Sequence, residues 1–238
     1  MSLYRDEGVV LRTMRLGEAD RIVTVMTKGQ GKVRAVAKGV RRTTSKFGAR
    51  LEPLSHVALL CWQGRELDIV NQAEVIDAFR AVREDLDRVA KGFTLLEVVD
   101  QLSPERHGAP RLYDMLVGAL RALAEADAAL LVPSFLLKAL ALDGSAPVVD
   151  RCVNCGATED LVAFDLVEGG VLCRTCRRGR SVSPGAIEVL RLVLGGGLAE
   201  ALRLPHDALA DEVSALATEA MEVHLDRRLR SVHASPTM

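Results

Sequence analysis

Five of the 238 residues are cysteines, and four of them form two matched pairs: Cys152-Val-Asn-Cys155, then seventeen residues, then Cys173-Arg-Thr-Cys176. Two residues between thiolates let a tight turn aim both sulfurs at one point, and a second such turn closes a tetrahedron. That is the donor set of one structural Zn2+, held by Cys152, Cys155, Cys173 and Cys176. Four thiolates leave no position for water, so catalytic zinc is not expected. Gly156 follows the first pair directly and Gly179 the second less tightly, where knuckles need a permissive backbone. Between the pairs, Leu161-Val162-Ala163-Phe164 and Leu166-Val167 precede Gly169-Gly170, the pattern of one hairpin in a zinc ribbon or treble clef. Disulfides would suit a secreted chain, but Met1-Ser2-Leu3-Tyr4-Arg5-Asp6 carries no apolar signal-peptide core. A thioredoxin-like pair would follow a strand and open a helix, whereas these pairs face each other across a hairpin. Cys61, within Val57-Ala58-Leu59-Leu60-Cys61-Trp62, reads as a buried small hydrophobe.

A second constellation is cationic. From Lys28 to Arg50 there are eight basic residues and no acid: Lys28, Lys32, Arg34, Lys38, Arg41, Arg42, Lys46 and Arg50. Residues 1–80 hold fourteen Lys/Arg against nine Asp/Glu, and the remainder seventeen against twenty-three, so a net charge of −1 hides a basic front and an acidic back. A run like this repels itself unless it meets a polyanion. Because it spreads over strands and one loop of a folded domain, the eight residues are read as nucleic-acid contacts rather than a solvated tail. Aromatics make up only 3% of the chain, and residues 1–80 offer Tyr4, Phe47, Trp62 and Phe79. Trp62, beside a hairpin turn, either stacks on a base or packs the barrel. With so few platforms, binding should rest on phosphates, be nearly sequence-blind, and leave base edges free to find a complement.

Enzymatic chemistry finds little support. Gly29-Gln30-Gly31-Lys32 is too short for a phosphate-binding loop and leads into a strand, and no lysine follows Gly195-Gly196-Gly197. His56, His107, His206, His224 and His233 are scattered, and the acids of the basic region show no two-metal spacing. The chain is therefore expected not to be an enzyme. Its longest apolar stretch, Ala128 to Leu142, is broken by Pro133, Ser134 and Lys138 and is too short for a membrane span, so a cytosolic protein is expected.

The elements that must position these residues fall into two periods. Glu7 to Met14, Arg21 to Thr27, Lys32 to Ala37, Ser55 to Trp62 and Glu66 to Ile76 are Val-, Ile-, Thr- and Leu-rich with partial alternation, and read as five strands. Turns are expected at Gly29-Gln30-Gly31 and Gln63-Gly64-Arg65, with a longer connection from Gly39 to Leu54. This layout suits an OB-type barrel, and strand counting alone does not separate it from an SH3-like one. From Arg83 the period becomes helical. Leu86, Val89, Phe93, Leu96 and Val99 predict one seam; Leu112, Met115, Leu116, Ala119 and Leu123 a second; and Leu130 to Leu142 a helix apolar nearly all round. Ser183-Pro184 starts a further helix that Gly195 stops. The last begins near Ala208, with Leu209, Val213, Leu216, Ala220 and Val223 on one face, and ends at Arg227, Arg228 and Arg230, with the tail from Ser231 frayed. The fold class is thus α+β: residues 1–80 an OB-type nucleic-acid-binding barrel, residues 81–238 a helical domain, with a zinc-ribbon-like insertion at about 148–180.

Several stretches carry a family resemblance. Asp6-Glu7-Gly8-Val9-Val10-Leu11, Gly17-Glu18-Ala19-Asp20-Arg21-Ile22-Val23, Ala37-Lys38-Gly39-Val40-Arg41-Arg42, Lys46-Phe47-Gly48 and Leu51-Glu52-Pro53 resemble the N-terminal region of the RecO family of bacterial recombination mediators. The likeness spans essentially the whole chain, is densest before residue 80 and at the cysteines, and points to the metal-bearing branch. It implies binding of single- and double-stranded DNA, annealing of complementary strands, and action with RecR to load the recombinase onto strands coated by single-strand-binding protein (SSB). It also implies contact with the acidic, apolar C-terminal tail of SSB, a cytoplasmic and nucleoid-associated location, and no nucleotide hydrolysis. A rival class is a zinc-ribbon nucleic-acid binder of transcription or translation, using Arg174, Arg177, Arg178 and Arg180, which could equally be a solvated rim.

Overall fold

The computed structural model describes residues 2–43, 45 and 47–233. It divides into two compact units, Met1–Glu125 and Ala126–Met238. In the first, strands β1 (Leu3–Leu16), β2 (Asp20–Thr27), β3 (Gly31–Ala37), β4 (His56–Trp62) and β5 (Asp68–Asp77) close into a barrel of order β1-β2-β3-β5-β4. The β3–β5 contact is parallel and short, Ala35 opposite Asp68 and Val36 opposite Ile69. A meander would have set β4 beside β3. The crossing instead gives the Greek-key closure of an OB-type barrel, which strand counting could not decide. A bulge between Val10 and Arg12 bends β1, so its first half pairs with β4 and its second with β2. Val10, Val23, Val33, Val57 and Leu59 fill the interior together with Cys61, which is buried as its apolar run predicts and whose thiol burial pushes up to about 12.

The barrel is sealed by a strap. Residue Glu105 bridges Lys32 in parallel register, and the Arg106 N–H donates to the Lys32 carbonyl at 2.8 Å. Gly31 makes room for it: at φ +71°, a Cβ there would stand 1.8 Å from the His107 carbonyl oxygen. Arg106 then reaches the fully buried Asp68 at 2.7 Å, whose carboxylate also accepts from Tyr4 Oη at 2.5 Å and the Gly64 N–H at 2.9 Å. Three donors make a buried carboxylate tolerable, and they pin β1, the β4–β5 connection and the strap to one atom pair.

Three helices complete this unit: α1 (Arg80–Arg83), α2 (Leu86–Leu102) and α3 (Pro110–Glu125). Asp85 caps α2 by accepting from the Asp87 and Arg88 N–H groups. The seam of α2 differs from the one its periodicity predicts. Leu96 and Val99 are buried, joined by Leu95 and Val98, but Leu86 is 76% and Phe93 41% exposed. The helix packs on α1, α3 and β1 at once, and at Gly92 it leaves no room for a side chain, since a Cβ would lie 2.9 Å from Leu54 Cδ2. A glycine contact carries no hydropathy signal, so the pattern placed the face wrongly. In α3, Leu112, Leu116 and Leu123 are buried as read, with Tyr113 and Leu120 added.

The second unit comprises α4 (Leu131–Leu142), β6 (Leu161–Asp165), β7 (Gly170–Cys173), β8 (Arg180–Ser181), α5 (Pro184–Leu194), α6 (Leu198–Ala201), α7 (Ala208–His224) and α8 (Arg230–His233). Helix α4, buried on nearly all sides, packs against α5 and α7. Ser183 caps α5 through the Ala186 N–H, Pro184 fills its first position and Gly195 ends it, as the sequence signals require. Helix α7 buries Val213, Leu216 and Ala220 but leaves Val223 exposed. It stops at His224, so Arg227 and Arg228 lie beyond it and Arg230 opens α8. Residues 231–233, expected to fray, are helical, and residues 234–238 lie outside the described ones. Among the described residues no helix is long and apolar enough to cross a membrane.

Candidate metal centre and nucleic-acid interface

The four cysteines named by spacing converge. Their sulfur atoms all lie within 4.8 Å of one another, and Cys155 Sγ and Cys173 Sγ are 3.7 Å apart. A tetrahedron with metal–sulfur bonds of about 2.3 Å has edges of about 3.8 Å, so the cluster has the size of a four-thiolate zinc site. Each pair sits on its own tight turn: the Gly156 N–H donates to the Cys152 carbonyl at 2.8 Å, and the Cys176 N–H to the Cys173 carbonyl at 3.1 Å. Gly156 holds φ +79°, which a side chain would resist. Asn154 Nδ2 donates to Cys176 Sγ at 3.2 Å, a second layer of support.

The sulfurs are electrostatically matched to a cation. Burial opposes ionisation of Cys152, yet backbone N–H groups of Cys173, Cys155 and Asn154 outweigh it and hold the thiol down to about 6. The Ala157 N–H favours a Cys155 thiolate, but the three neighbouring sulfurs push that thiol up to about 12. Crowded sulfurs cannot all ionise unless a soft divalent cation sits among them. Around them, β7, β6 and β8 form a three-stranded sheet in that order. Its β6–β7 turn is fixed by Asp165, which accepts from the Glu168 and Val167 N–H groups and from Arg178 Nε at 2.6 Å. Those donors, the Glu168 N–H foremost, hold the Asp165 carboxyl below the usual range.

Of the arginines around the second knuckle, Arg177 donates to Ser181 Oγ, Arg178 pairs with Asp165 and Arg180 with Glu219. Arg174 stays exposed.

The eight cations of the barrel divide. Lys28 pairs with Glu7 at 3.0 Å, Lys32 with Asp100 at 3.2 Å and Arg34 with Glu105 at 3.5 Å. Lys32 also donates to the Asp100 carbonyl at 2.5 Å and is only 13% exposed. Beyond β3, Lys38 and Arg42 are exposed, with no hydrogen bond or ion pair from their side chains among the described residues, and Arg50 is exposed on a 3-10 turn (Gly48–Leu51). Arg41 folds back onto the β1–β2 turn, donating to the Glu18 carbonyl at 2.7 Å. Lys46 lies outside the described residues.

Strand register shows where these cations gather. Leu16 opposite Asp20, Arg21 opposite Ala37, and Ala35 opposite Asp68 bring the β1–β2 turn, the residues after β3 and the β4–β5 connection to one end of the barrel. Arg15 and Arg65, which sequence reasoning passed over, are exposed at that same end. The outer face of β2–β3, by contrast, is covered: Ile22, Thr24 and Met26 are buried, Met26 Sδ lies 3.7 Å from Ser103 Oγ, and Arg12 joins Lys32 on Asp100 at 2.7 Å. Nothing in the sequence announces that Asp100 and Glu105 return to strands some seventy residues earlier, because such pairings are set by helix packing and not by local pattern.

Comparison with known proteins adds three findings. A family model described as "Recombination protein O N terminal" matches residues 1–79, and one described as "Recombination protein O C terminal" matches residues 83–233. A curated relative from Frankia casuarinae, named DNA repair protein RecO, is 45% identical over 239 residues, covering 98% of this chain and 98% of its own length.

Proposed function

The chain belongs to the RecO family, whose members act in DNA repair and recombination, and on that premise we propose that it binds single- and double-stranded DNA, anneals complementary strands and helps load the recombinase onto SSB-coated strands. The observation that carries this reading is the set of exposed cations at one end of the OB-type barrel. The phosphate contacts are Lys38, Arg41, Arg42, Lys46 and Arg50. For Lys28, Lys32 and Arg34 to join them, a phosphate would have to displace Glu7, Asp100 and Glu105. Phosphates position a strand without reading it, so the protein grips a backbone while the base edges stay free to pair. With about five phosphates neutralised, log K falls against log salt with a slope of about −3.5 on single strands and −4.5 on duplex.

One zinc ion per chain would be held by Cys152, Cys155, Cys173 and Cys176, where it would supply charge neutralisation and a cross-link to a module with little interior of its own. RecR and the SSB C-terminal tail are the proposed protein partners, and the cytoplasm, on the nucleoid, the proposed location. The ribbon-binder alternative is disfavoured because three of its four arginines already hold groups of the same unit. The reading is tested by annealing of complementary strands, bare and SSB-coated, without nucleotide. Accelerated pairing on both is expected, and no acceleration on either defeats it.

A further inference from the structure

Phosphate contacts leave Trp62 of the barrel without a role. Trp62 ends β4 and is 39% exposed, unusual for the largest apolar side chain. Its cross-strand neighbours are Leu3 on β1, itself 45% exposed, and Ile69 on β5. Successive residues alternate between faces, and the adjacent pair Tyr4 and Cys61 turns inward, so Trp62, Leu3 and Ile69 form one outward row. The next outward pair is Arg5 opposite Leu60. Arg5 is exposed, as is Arg65 in the connection just after Trp62, and neither forms an ion pair or side-chain hydrogen bond among the described residues.

This row is the counterpart of the covered β2–β3 face. It also continues the cationic end of the barrel, because Ile69 lies opposite Val36, two residues before Lys38. An indole open to solvent, with one unpaired arginine on the neighbouring strand and another in the connection after it, suits an unstacked base and its adjoining phosphates. Duplex DNA keeps its bases stacked on one another and can offer this row only its backbone.

Resting on the DNA-binding reading above, we propose that Trp62, flanked by Arg5 and Arg65, is a base-stacking platform on the β1–β4–β5 face that extends the barrel's phosphate track and favours single strands over duplex.

Trp62 is the chain's single tryptophan, so indole emission reports this site alone. Titrating the full chain with oligothymidine should quench that emission in step with binding. Trp62→Ala should weaken single-strand affinity about tenfold, the value of one lost base stack, and leave duplex affinity within about twofold. Trp62→Phe, which keeps an aromatic face and the fold, should restore most of the loss, and Arg5→Ala should weaken both forms a few-fold. The platform is overturned if emission does not change while strands bind, or if Trp62→Ala binds both forms like the parent, as it would were this row a protein-docking surface. Should the parent bind no DNA at all, the DNA-binding reading falls along with the platform. Silent emission with intact binding removes the platform alone.

Discussion

The barrel and the cysteine module are both small β structures, but they are held together differently and their arginines do different work. The barrel closes five strands around an apolar interior and locks its seam with the buried Asp68 and its three donors. The module has three strands of two to five residues, too little sheet to stand without its four sulfurs. Three of the four arginines around its second knuckle, Arg177, Arg178 and Arg180, are consumed in fixing turns and tying the sheet to α7. On the barrel, Arg12, Lys28, Lys32 and Arg34 are likewise paired, while Arg15, Lys38, Arg42 and Arg65 have no partner among the described residues. A binding surface is therefore defined by the cations that stay exposed and clear of internal carboxylates, as Arg41 does while resting on a carbonyl, not by the number in a stretch of sequence.

The largest expected effect tests the difference in how the two regions are held. Cys173→Ala, or chelation, should abolish stoichiometric zinc and cost the second unit on the order of 5 kcal/mol or more, because metal binding here is folding energy. Hydrogen exchange should show protection lost across the module and kept in the barrel. A metal-free variant with an unchanged melting curve would remove the staple from the comparison.

A smaller effect separates held from available cations. Lys32→Ala should lose about 1–2 kcal/mol of stability, since it removes one of the two cations on the largely buried Asp100 and leaves Arg12 alone there, while DNA affinity stays within about twofold. Arg41→Ala/Arg42→Ala should do the reverse, losing about 1 kcal/mol of binding per phosphate contact with a melting temperature near that of the parent. Melting and affinity measured on one sample of each variant decide it, and equal affinity losses in both would erase the distinction.

The smallest effect concerns the barrel's junction with α3. His56 is buried, its Nε2 lies 2.7 Å from Tyr113 Oη, and burial lowers its pKa below the ordinary 6.5. In the window just below 6.5 the unfolded chain binds a proton that the folded chain refuses. Stability is then complete above 6.5 and declines as pH falls toward the lowered value. Melting temperature from pH 7.5 to 5 should fall more in the parent than in His56→Gln, and parallel curves would show that the folded and unfolded chains hold this proton equally well.

Much of the candidate site was legible because its signals are local. The Cys-x2-Cys spacing, the Ser183-Pro184 start and Gly195 stop of α5, and the strand periods all act within a few residues, where backbone sterics and turn geometry decide the outcome. The α2 seam was misread because a packing contact through Gly92 has no hydrophobic signature.

The sequence by itself determined a basic strand-rich front, a helical back and four thiolates positioned to share one ion. Only the tertiary structure decided the β3–β5 closure, the covering of the β2–β3 face by Asp100, Ser103 and Glu105, and the exposure of Trp62 on the opposite face. Those outcomes depend on contacts such as Lys32 with Asp100, 68 residues apart. A charge has the same identity in the sequence whether it meets water, a phosphate or a carboxylate, and the packing of helices on the barrel selects among the three.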